Sequence, residues 1–408
     1  MKCRSCLAQL DFCLIDLGNA PLSNAYLTQV TLRRPEKWFP LRVLVCTKCW
    51  LVQAEMYSRA AEIFNEEYAY FSSFSTFWLE HAKTFALESI ENFELDKNSF
   101  VIEIASNDGY LLTNYKERGI PCLGIEPTAS TAAVASSKGI ETLEVFFSEE
   151  KAIEITKSHG KADLIIANNV LAHVPDLIDF ISGVYVLLKD SGIASFEVHN
   201  LVNLINLKQF DTIYHEHFSY YSFTSAYNLF KNNGLEIISV NELPSHGGSL
   251  RMLVQKTGIG TRNIDKSVND HLELERKLEI SSLQFYQDFA TAANEVKDTF
   301  VSFLLDKKRK GKTVVGYGAA AKGNTLINYA GVKGDLITFV VDRNSWKVGK
   351  FLPGSRIPIV DENELKKFRP DYIVIFPWNL RDEILDQLSY CRDWQAEFVT
   401  FVPKMEIW

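Results

Sequence analysis

The stretch Val101-Ile-Glu-Ile-Ala-Ser-Asn-Asp-Gly109-Tyr-Leu-Leu112 decides the fold. Apolar, β-branched residues with Glu103 embedded near their end read as a buried strand. The run Ala105 to Gly109 reads as a turn of small residues, and Tyr110 onward as the opening of a helix. Moving outward, the same rhythm repeats. Phe100 to Ile104, Cys122 to Ile125, Glu144 to Phe147, Asp163 to Ala167 and Gly192 to Val198 are near-continuous apolar runs with helical patterns between them. Buried parallel strands have that composition, and the alternation predicts a doubly wound α/β sheet. Residues 201 to 260 are less regular and end in a further strand, Leu250 to Val254.

The turn also carries chemistry. Small residues let the backbone approach a ligand closely, and a carboxylate at the strand end can hold a cationic or hydroxylated group. Glu126, closing the next strand, can accept hydrogen bonds from the two hydroxyls of a ribose. A dinucleotide needs Gly-x-Gly-x-x-Gly to seat its pyrophosphate, and this turn lacks that spacing. S-adenosylmethionine, which has no phosphate, fits better than NAD. The fourth strand runs into Asn168-Asn169-Val170-Leu171-Ala172-His173 and so places polar side chains at the carboxyl edge of the sheet, where open α/β folds bind ligands. His173 reads equally as a structural histidine or as part of a site.

On either side lie two further units. Cys3-x-x-Cys6 and Cys46-x-x-Cys49 are two thiol pairs, each able to bind one ion from a single turn; together they complete the tetrahedron that Zn²⁺ prefers, with no open position. Reducible or merely buried thiols are the alternative. Cys13, Cys122 and Cys391 have no partner spacing and read as core thiols. The expected organisation is a zinc-binding domain over 1–60 and a central domain over 61–260 that begins with a helical bridge. A helical linker over 261–308 and a smaller Rossmann-like α/β domain over 309–408 follow. In that last domain Thr313 to Val315, Leu336 to Val341 and Tyr372 to Phe376 read as strands.

Length and charge agree with several domains and exclude some partners. The chain has 408 residues and a formal net charge of −8, with 43 basic against 51 acidic residues. No global positive field exists to hold a nucleic-acid backbone. No apolar stretch approaches about 18 residues, and the N-terminus lacks the apolar run of a signal peptide, so no membrane partner and a cytoplasmic location are expected. The cysteine usage suits a reducing compartment. A monomer or small homo-oligomer is expected.

The densest reactive cluster is Asp211-Thr-Ile-Tyr214-His215-Glu216-His217-Phe-Ser-Tyr220-Tyr221-Ser222. His-Glu-His lacks the i, i+4 spacing with which two helical histidines share an ion, so general acid/base work is the better reading. A histidine takes a proton at neutral pH, and a nearby carboxylate can orient it. His199 and Asn200, at the end of the Gly192 to Val198 strand, are candidates for the substrate. His246-Gly-Gly-Ser249-Leu-Arg251 offers either a turn with exposed amides and one guanidinium for an anion, or a plain β-turn. Gly316-Tyr-Gly318-Ala-Ala-Ala321-Lys322-Gly323-Asn324-Thr325 satisfies the dinucleotide fingerprint Gly-x-Gly-x-x-Ala, with Asp342 ending the next strand. Alone it suggests an NAD enzyme. The helix start with Lys322 could equally hold the diphosphate of a nucleotide-linked substrate.

In this order, the two cysteine pairs, Glu-Ile-Ala-Ser-Asn-Asp-Gly-Tyr-Leu-Leu, Tyr-His-Glu-His-Phe-Ser-Tyr-Tyr-Ser, His-Gly-Gly-Ser-Leu-Arg and Gly-Tyr-Gly-Ala-Ala-Ala-Lys-Gly-Asn-Thr make the chain resemble the sugar C-methyltransferases of deoxysugar biosynthesis. The resemblance spans essentially the whole length. It implies a zinc-binding N-terminal domain, a central class I methyltransferase sheet for S-adenosylmethionine, and a C-terminal α/β domain that helps hold a nucleotide-linked (dTDP or GDP) 4-keto-6-deoxysugar. Residue by residue, it places the cofactor near Glu103, Ala105, Asn107, Asp108, Gly109, Glu126 and Asn168, where family members often have Gly in place of Ala105. It implies His217 as general base with Tyr214 and Glu216 around it, and His173 with Tyr68 or Tyr70 lining the sugar. His246, Arg251, Lys322, Asn324 and Thr325 would hold the rest of the substrate.

Overall fold

The computed structural model describes residues 1–57, 72–74 and 76–408; Tyr68 and Tyr70 lie outside the described residues. Near the N-terminus β1 (Phe12–Ala20), β2 (Phe39–Val45) and β3 (Val52–Ala54) form an antiparallel meander. The helix Thr76–Asn92 leads into the central sheet, which takes β4 (Val101–Ile104), β5 (Cys122–Ile125), β6 (Thr142–Leu143), β7 (Ala162–Asn168) and β8 (Leu188–His199). The next strand, β9 (Ser219–Tyr220), leaves that sheet and pairs with β3. After it β10 (Leu235–Leu243) and β11 (Ser249–Lys256) form a hairpin that closes the central sheet.

The central order is β10-β11-β8-β7-β4-β5-β6, parallel except for β11, which runs antiparallel to both neighbours. The strand order reverses between β4 and β7, so the loops leaving these two strands diverge and open a crevice at their carboxyl ends. Apolar cores cover both faces, as continuous runs such as Leu164-Ile-Ile166 require. The sequence puts a strand at Glu144–Phe147, but the structure places it at Thr142–Leu143. The Phe147 ring is partly buried and packs edge-on against Phe180 of the helix Leu177–Leu187 without belonging to a strand.

The last domain contains β12 (Val314–Tyr317), β13 (Val340–Val341), β14 (Ile359–Val360), β15 (Tyr372–Ile375), β16 (Glu397–Thr400) and β17 (Glu406–Ile407), in the order β14-β13-β12-β15-β16-β17. Residues 265–308 do more than link. The helix Phe289–Arg309 buries Phe289, Ala293, Val296, Phe300, Phe303 and Leu304 in one core shared by β1, β2 and the last domain. In the helix Lys266–Lys277 the buried Glu275 accepts the backbone N–H groups of Phe223 and Thr224, capping the helix Phe223–Asn232. The domains therefore share packed surfaces rather than hanging on a tether.

Candidate active site

Four cysteine sulfurs come together first. Cys3, Cys6, Cys46 and Cys49 place their Sγ atoms within 4.8 Å of one another, with Cys3–Cys49 and Cys6–Cys46 each at 3.5 Å. A tetrahedron with Zn–S bonds of about 2.3 Å has edges of about 3.8 Å, so the set fits a Zn²⁺ ion. The two knuckles repeat each other. Leu7 donates its backbone N–H to Cys3 and Trp50 to Cys46, and both residues take positive φ (61° and 62°). Gln53 Nε2 donates to Cys3 Sγ at 3.2 Å and the Lys48 amide to Cys46 Sγ at 3.4 Å, hydrogen bonds that a thiolate accepts readily.

At the crevice the turn after β4 brings acceptors together. Ala105 (φ 54°) and Asn107 (φ 50°) both occupy the left-handed region, where glycine is at home, so the turn carries backbone strain of about 1 kcal/mol per residue. The Asn107 amide donates to Glu126 Oε2 and the Thr128 amide to Oε1, both at 2.9 Å. Asn107 Oδ1 accepts from the Ser72 amide, and the Ser73 hydroxyl donates to Asp108. Burial, with Asp108 and Glu126 nearby, pushes the Glu103 carboxyl well above its ordinary range; burial also raises Glu126 against those two amide bonds. Glu103 Oε2, Asp108 Oδ1 and Asn168 Oδ1 are buried acceptors with no hydrogen-bond partner among the described residues. Such a collection calls for a ligand that brings donors and positive charge. The amine and sulfonium of S-adenosylmethionine supply both, whereas a pyrophosphate would meet three carboxyl groups.

A second cluster lies past the carboxyl ends of β7 and β8. The His217 ring centroid is 4.0 Å from Tyr214, 4.8 Å from His173 and 5.4 Å from His199; His199 is 5.1 Å from His246, which in turn meets Trp78 at 5.0 Å. His217 Nδ1 donates to the Thr212 carbonyl at 2.9 Å and His173 Nδ1 to the Glu216 carbonyl at 2.7 Å. A carbonyl only accepts, so both imidazoles carry their proton on Nδ1 and their lone pair on Nε2. Burial pushes His217 well below its ordinary value, with His173 adding to the effect; burial likewise lowers His173 and His246 to about 4. The cluster is neutral at physiological pH.

Two carboxyls and one amine complete the surroundings. Burial raises Glu216 to about 7 although Asn24 Nδ2 donates to its Oε2 at 2.7 Å, and Oε1 has no partner among the described residues. Burial raises Asp211 to about 6; its Oδ2 accepts from Trp378 Nε1 at 2.7 Å. Lys322 is enclosed over the Trp378 ring, 4.3 Å from its centroid, and donates to Asn379 Oδ1 at 3.0 Å and the His246 carbonyl at 3.3 Å. Desolvation lowers it to about 8, against the pull of Asp211.

Three family models match in sequence: a zinc binding domain over 3–64, a methyltransferase domain over 78–240 and a C-methyltransferase C-terminal domain over 244–403. NovU, a C-methyltransferase of Streptomyces niveus, is 32% identical over 406 residues, spanning 100% of this chain and 96% of its own. The chain belongs to the S-adenosylmethionine-dependent C-methyltransferase family. Solved structures with local likeness include magnesium protoporphyrin IX methyltransferase from Synechocystis (12% identity, TM-score 0.34, 44% of this chain and 79% of that one). Another is an S-adenosylmethionine-dependent methyltransferase from Clostridium acetobutylicum (12%, TM-score 0.35, 44% and 92%). This C-methyltransferase uses S-adenosylmethionine and carries a structural zinc site.

Several expectations change with the geometry. The partner of His217 is the Thr212 carbonyl rather than a carboxylate; the Glu216 side chain is taken by Asn24. Arg251 stands opposite Glu197 across β11 and β8, with Nη2 2.7 Å from Glu197 Oε2 and its guanidinium 4.3 Å over Phe85. Burial would raise Glu197, but His81, Arg251 and Ser245 hold it at about 2, so the arginine also braces the sheet, while its Nε has no hydrogen-bond partner among the described residues. The glycines after His246 are packed, not exposed: a Cβ on Gly247 would meet Trp378 and one on Gly248 would meet Asn203. Asn200 caps the helix Leu201–Asn206. Asn324 Nδ2 donates to the Ser23 carbonyl and Thr325 Oγ1 to that of Ile213, so only Lys322 of the three faces the histidines. Asn24, Trp78 and Trp378 escaped sequence reading. The indoles carried a faint signal as large amphipathic residues beside turns; Asn24, distant from Glu216 in sequence, carried none.

Proposed function

We propose that the enzyme transfers a methyl group to C-3 of a 4-keto-6-deoxyhexose linked to dTDP or GDP, with His217 as general base. The observation that carries this is the buried His217 imidazole, fixed by Thr212 with its lone pair on Nε2 inside a neutral aromatic and histidine cluster. A ketone acidifies the C–H bond beside it. His217 takes that proton, and the resulting enolate oxygen is met by the Tyr214 hydroxyl as a neutral donor, with the Lys322 ammonium nearby. When bound, S-adenosylmethionine supplies an electrophilic methyl group. Glu103, Asn107, Asp108, Glu126 and Asn168 hold and orient it at the crevice, and the sugar nucleotide is held between the histidine cluster and the last domain, which excludes water from the enolate.

The Gly316 turn argues against an NAD-dependent reaction. A Cβ on Gly316 would meet Phe376 at 2.5 Å and one on Gly318 would meet Pro377 at 2.4 Å, while Tyr26 and Lys347 both donate to the Ala319 carbonyl. The glycines serve packing within the protein there.

Incubation with S-adenosylmethionine and dTDP- or GDP-4-keto-6-deoxyhexoses tests the proposal. Mass spectrometry is expected to show gain of one methyl group, and NMR to place it on C-3. With the cofactor omitted, deuterium from D₂O is expected at the carbon beside the ketone. Methyl gain on oxygen or nitrogen without that exchange overturns the enolate route.

A further inference from the structure

Between the zinc knuckle and the base runs a continuous set of short contacts. Gln53 Nε2 donates to Cys3 Sγ at 3.2 Å, and Gln53 Oε1 accepts the Arg4 backbone N–H at 2.9 Å. Arg4 is the residue after Cys3, inside the first Cys-x-x-Cys turn. Its side chain leaves the knuckle, and Nη1 donates to the Phe218 carbonyl at 2.9 Å, with the guanidinium 5.5 Å from the Phe218 ring centroid. That carbonyl also accepts the Ala54 amide at 3.0 Å. The Phe218 N–H donates to the Ala172 carbonyl at 2.7 Å, next to His173. One residue, Phe218, next to His217 is thus held by the zinc domain on its carbonyl and by the His173 segment on its amide. Phe218 and Gln53 are fully buried, so water does not replace these bonds when they are lost.

We propose that Arg4 is a positioning residue: it fixes the Phe218 peptide, and through it the His217 imidazole, to the zinc knuckle, so that loading of the cysteine quartet sets the geometry of the base. A guanidinium suits this place. It reaches a carbonyl at fixed angle with one nitrogen while lying over an aromatic ring, which an ammonium does less well. Zinc in this enzyme then acts on catalysis without touching the substrate. The inference rests on His217 being the base.

Arg4→Met keeps the aliphatic stem and removes the donor; Arg4→Lys keeps a cation. Full-length variants are compared with wild type and His217→Asn for zinc content, S-adenosylmethionine binding by calorimetry, kcat and KM on the keto-sugar nucleotide that wild type methylates, and hydrogen exchange of the 214–222 peptides. Because small misplacements at a reacting centre cost up to about 100-fold, Arg4→Met is expected to lose about 10- to 100-fold in kcat. Its KM, zinc content and cofactor binding are expected within twofold of wild type, with faster exchange over 214–222, and Arg4→Lys is expected to recover part of kcat. Wild-type kcat in zinc-loaded Arg4→Met overturns the positioning role. So does a loss of kcat accompanied by equal loss of zinc or cofactor binding in both variants, which marks a purely structural arginine. If His217→Asn retains activity, the base assignment fails instead, whatever the Arg4 variants do.

Discussion

His217 Nδ1 donates to the carbonyl oxygen of Thr212, five residues upstream in the same segment, at 2.9 Å. This local bond decides which ring nitrogen carries the lone pair. His217→Asn removes the lone pair and keeps a donor of similar size. Since a positioned general base contributes about 10²- to 10⁴-fold, kcat is expected to fall within that range. Calorimetry is expected to show S-adenosylmethionine binding unchanged, and NMR to show deuterium exchange beside the ketone abolished.

Glu216 and the histidines give opposite dependences of stability on pH. The Glu216 carboxyl at about 7 lies above the 4.5 of an unperturbed glutamate, so the folded protein keeps a proton that the unfolded chain releases. Its contribution is complete below pH 4.5 and is lost as pH rises through about 7. His173 and His246, at about 4 against 6.5, contribute fully above pH 6.5 and lose that contribution as pH falls toward 4. Glu216→Gln is expected to gain stability relative to wild type between pH 5 and 8, by up to about 3 kcal/mol at about 1.4 kcal/mol per pKa unit. Denaturant melts at a series of pH values check this; a constant difference across the range would contradict it.

Zinc should be bound in one copy per chain and held by all four thiols. Cys46→Ser is expected to abolish stoichiometric zinc by elemental analysis and to lower the melting temperature by roughly 10 °C or more, given that structural zinc contributes about 10 kcal/mol of binding free energy in small domains. The central sheet should keep its cofactor affinity less impaired than its turnover.

Gly124 lies in β5 directly beneath the cofactor turn. A Cβ there would stand 2.4 Å from Ser106 Oγ and 3.2 Å from Thr142 Oγ1. Gly124→Ala therefore displaces the turn. Overpacking of this kind costs about 1–3 kcal/mol, which converts to roughly 5- to 150-fold weaker S-adenosylmethionine binding if the strain falls on the turn. Titration calorimetry reads the loss, and a melting curve close to wild type shows that the strain is local.

What the sequence made legible was local. Glu103, the Ala105–Gly109 turn and Glu126 lie at the ends of adjacent strands, and the rhythm of apolar runs placed them. The cysteine spacing did the same for the metal set. The His217 partner was misread because backbone carbonyls such as that of Thr212 leave no trace in side-chain identity. Asn24 on Glu216, Trp378 on Asp211 and Tyr26 on Ala319 join segments 192, 167 and 293 residues apart, so no window of sequence contains both members. The Gly316 fingerprint misled for a related reason: close packing against Phe376 and Pro377 demands the same glycines as close approach to a phosphate.

The pairing of β3 with β9 bears on how the chain is born. Gln53 leaves the ribosome early, yet its neighbour in the sheet, Ser219, emerges only after most of the central domain has been synthesised. The meander at the N-terminus can gather its ion while one edge is still bare, and that edge is closed by the very segment that bears the base. Loop closure of this length makes the last strand a late event in folding. An unfinished chain could therefore hold metal before residues 214–220, which carry the base, dock on β3.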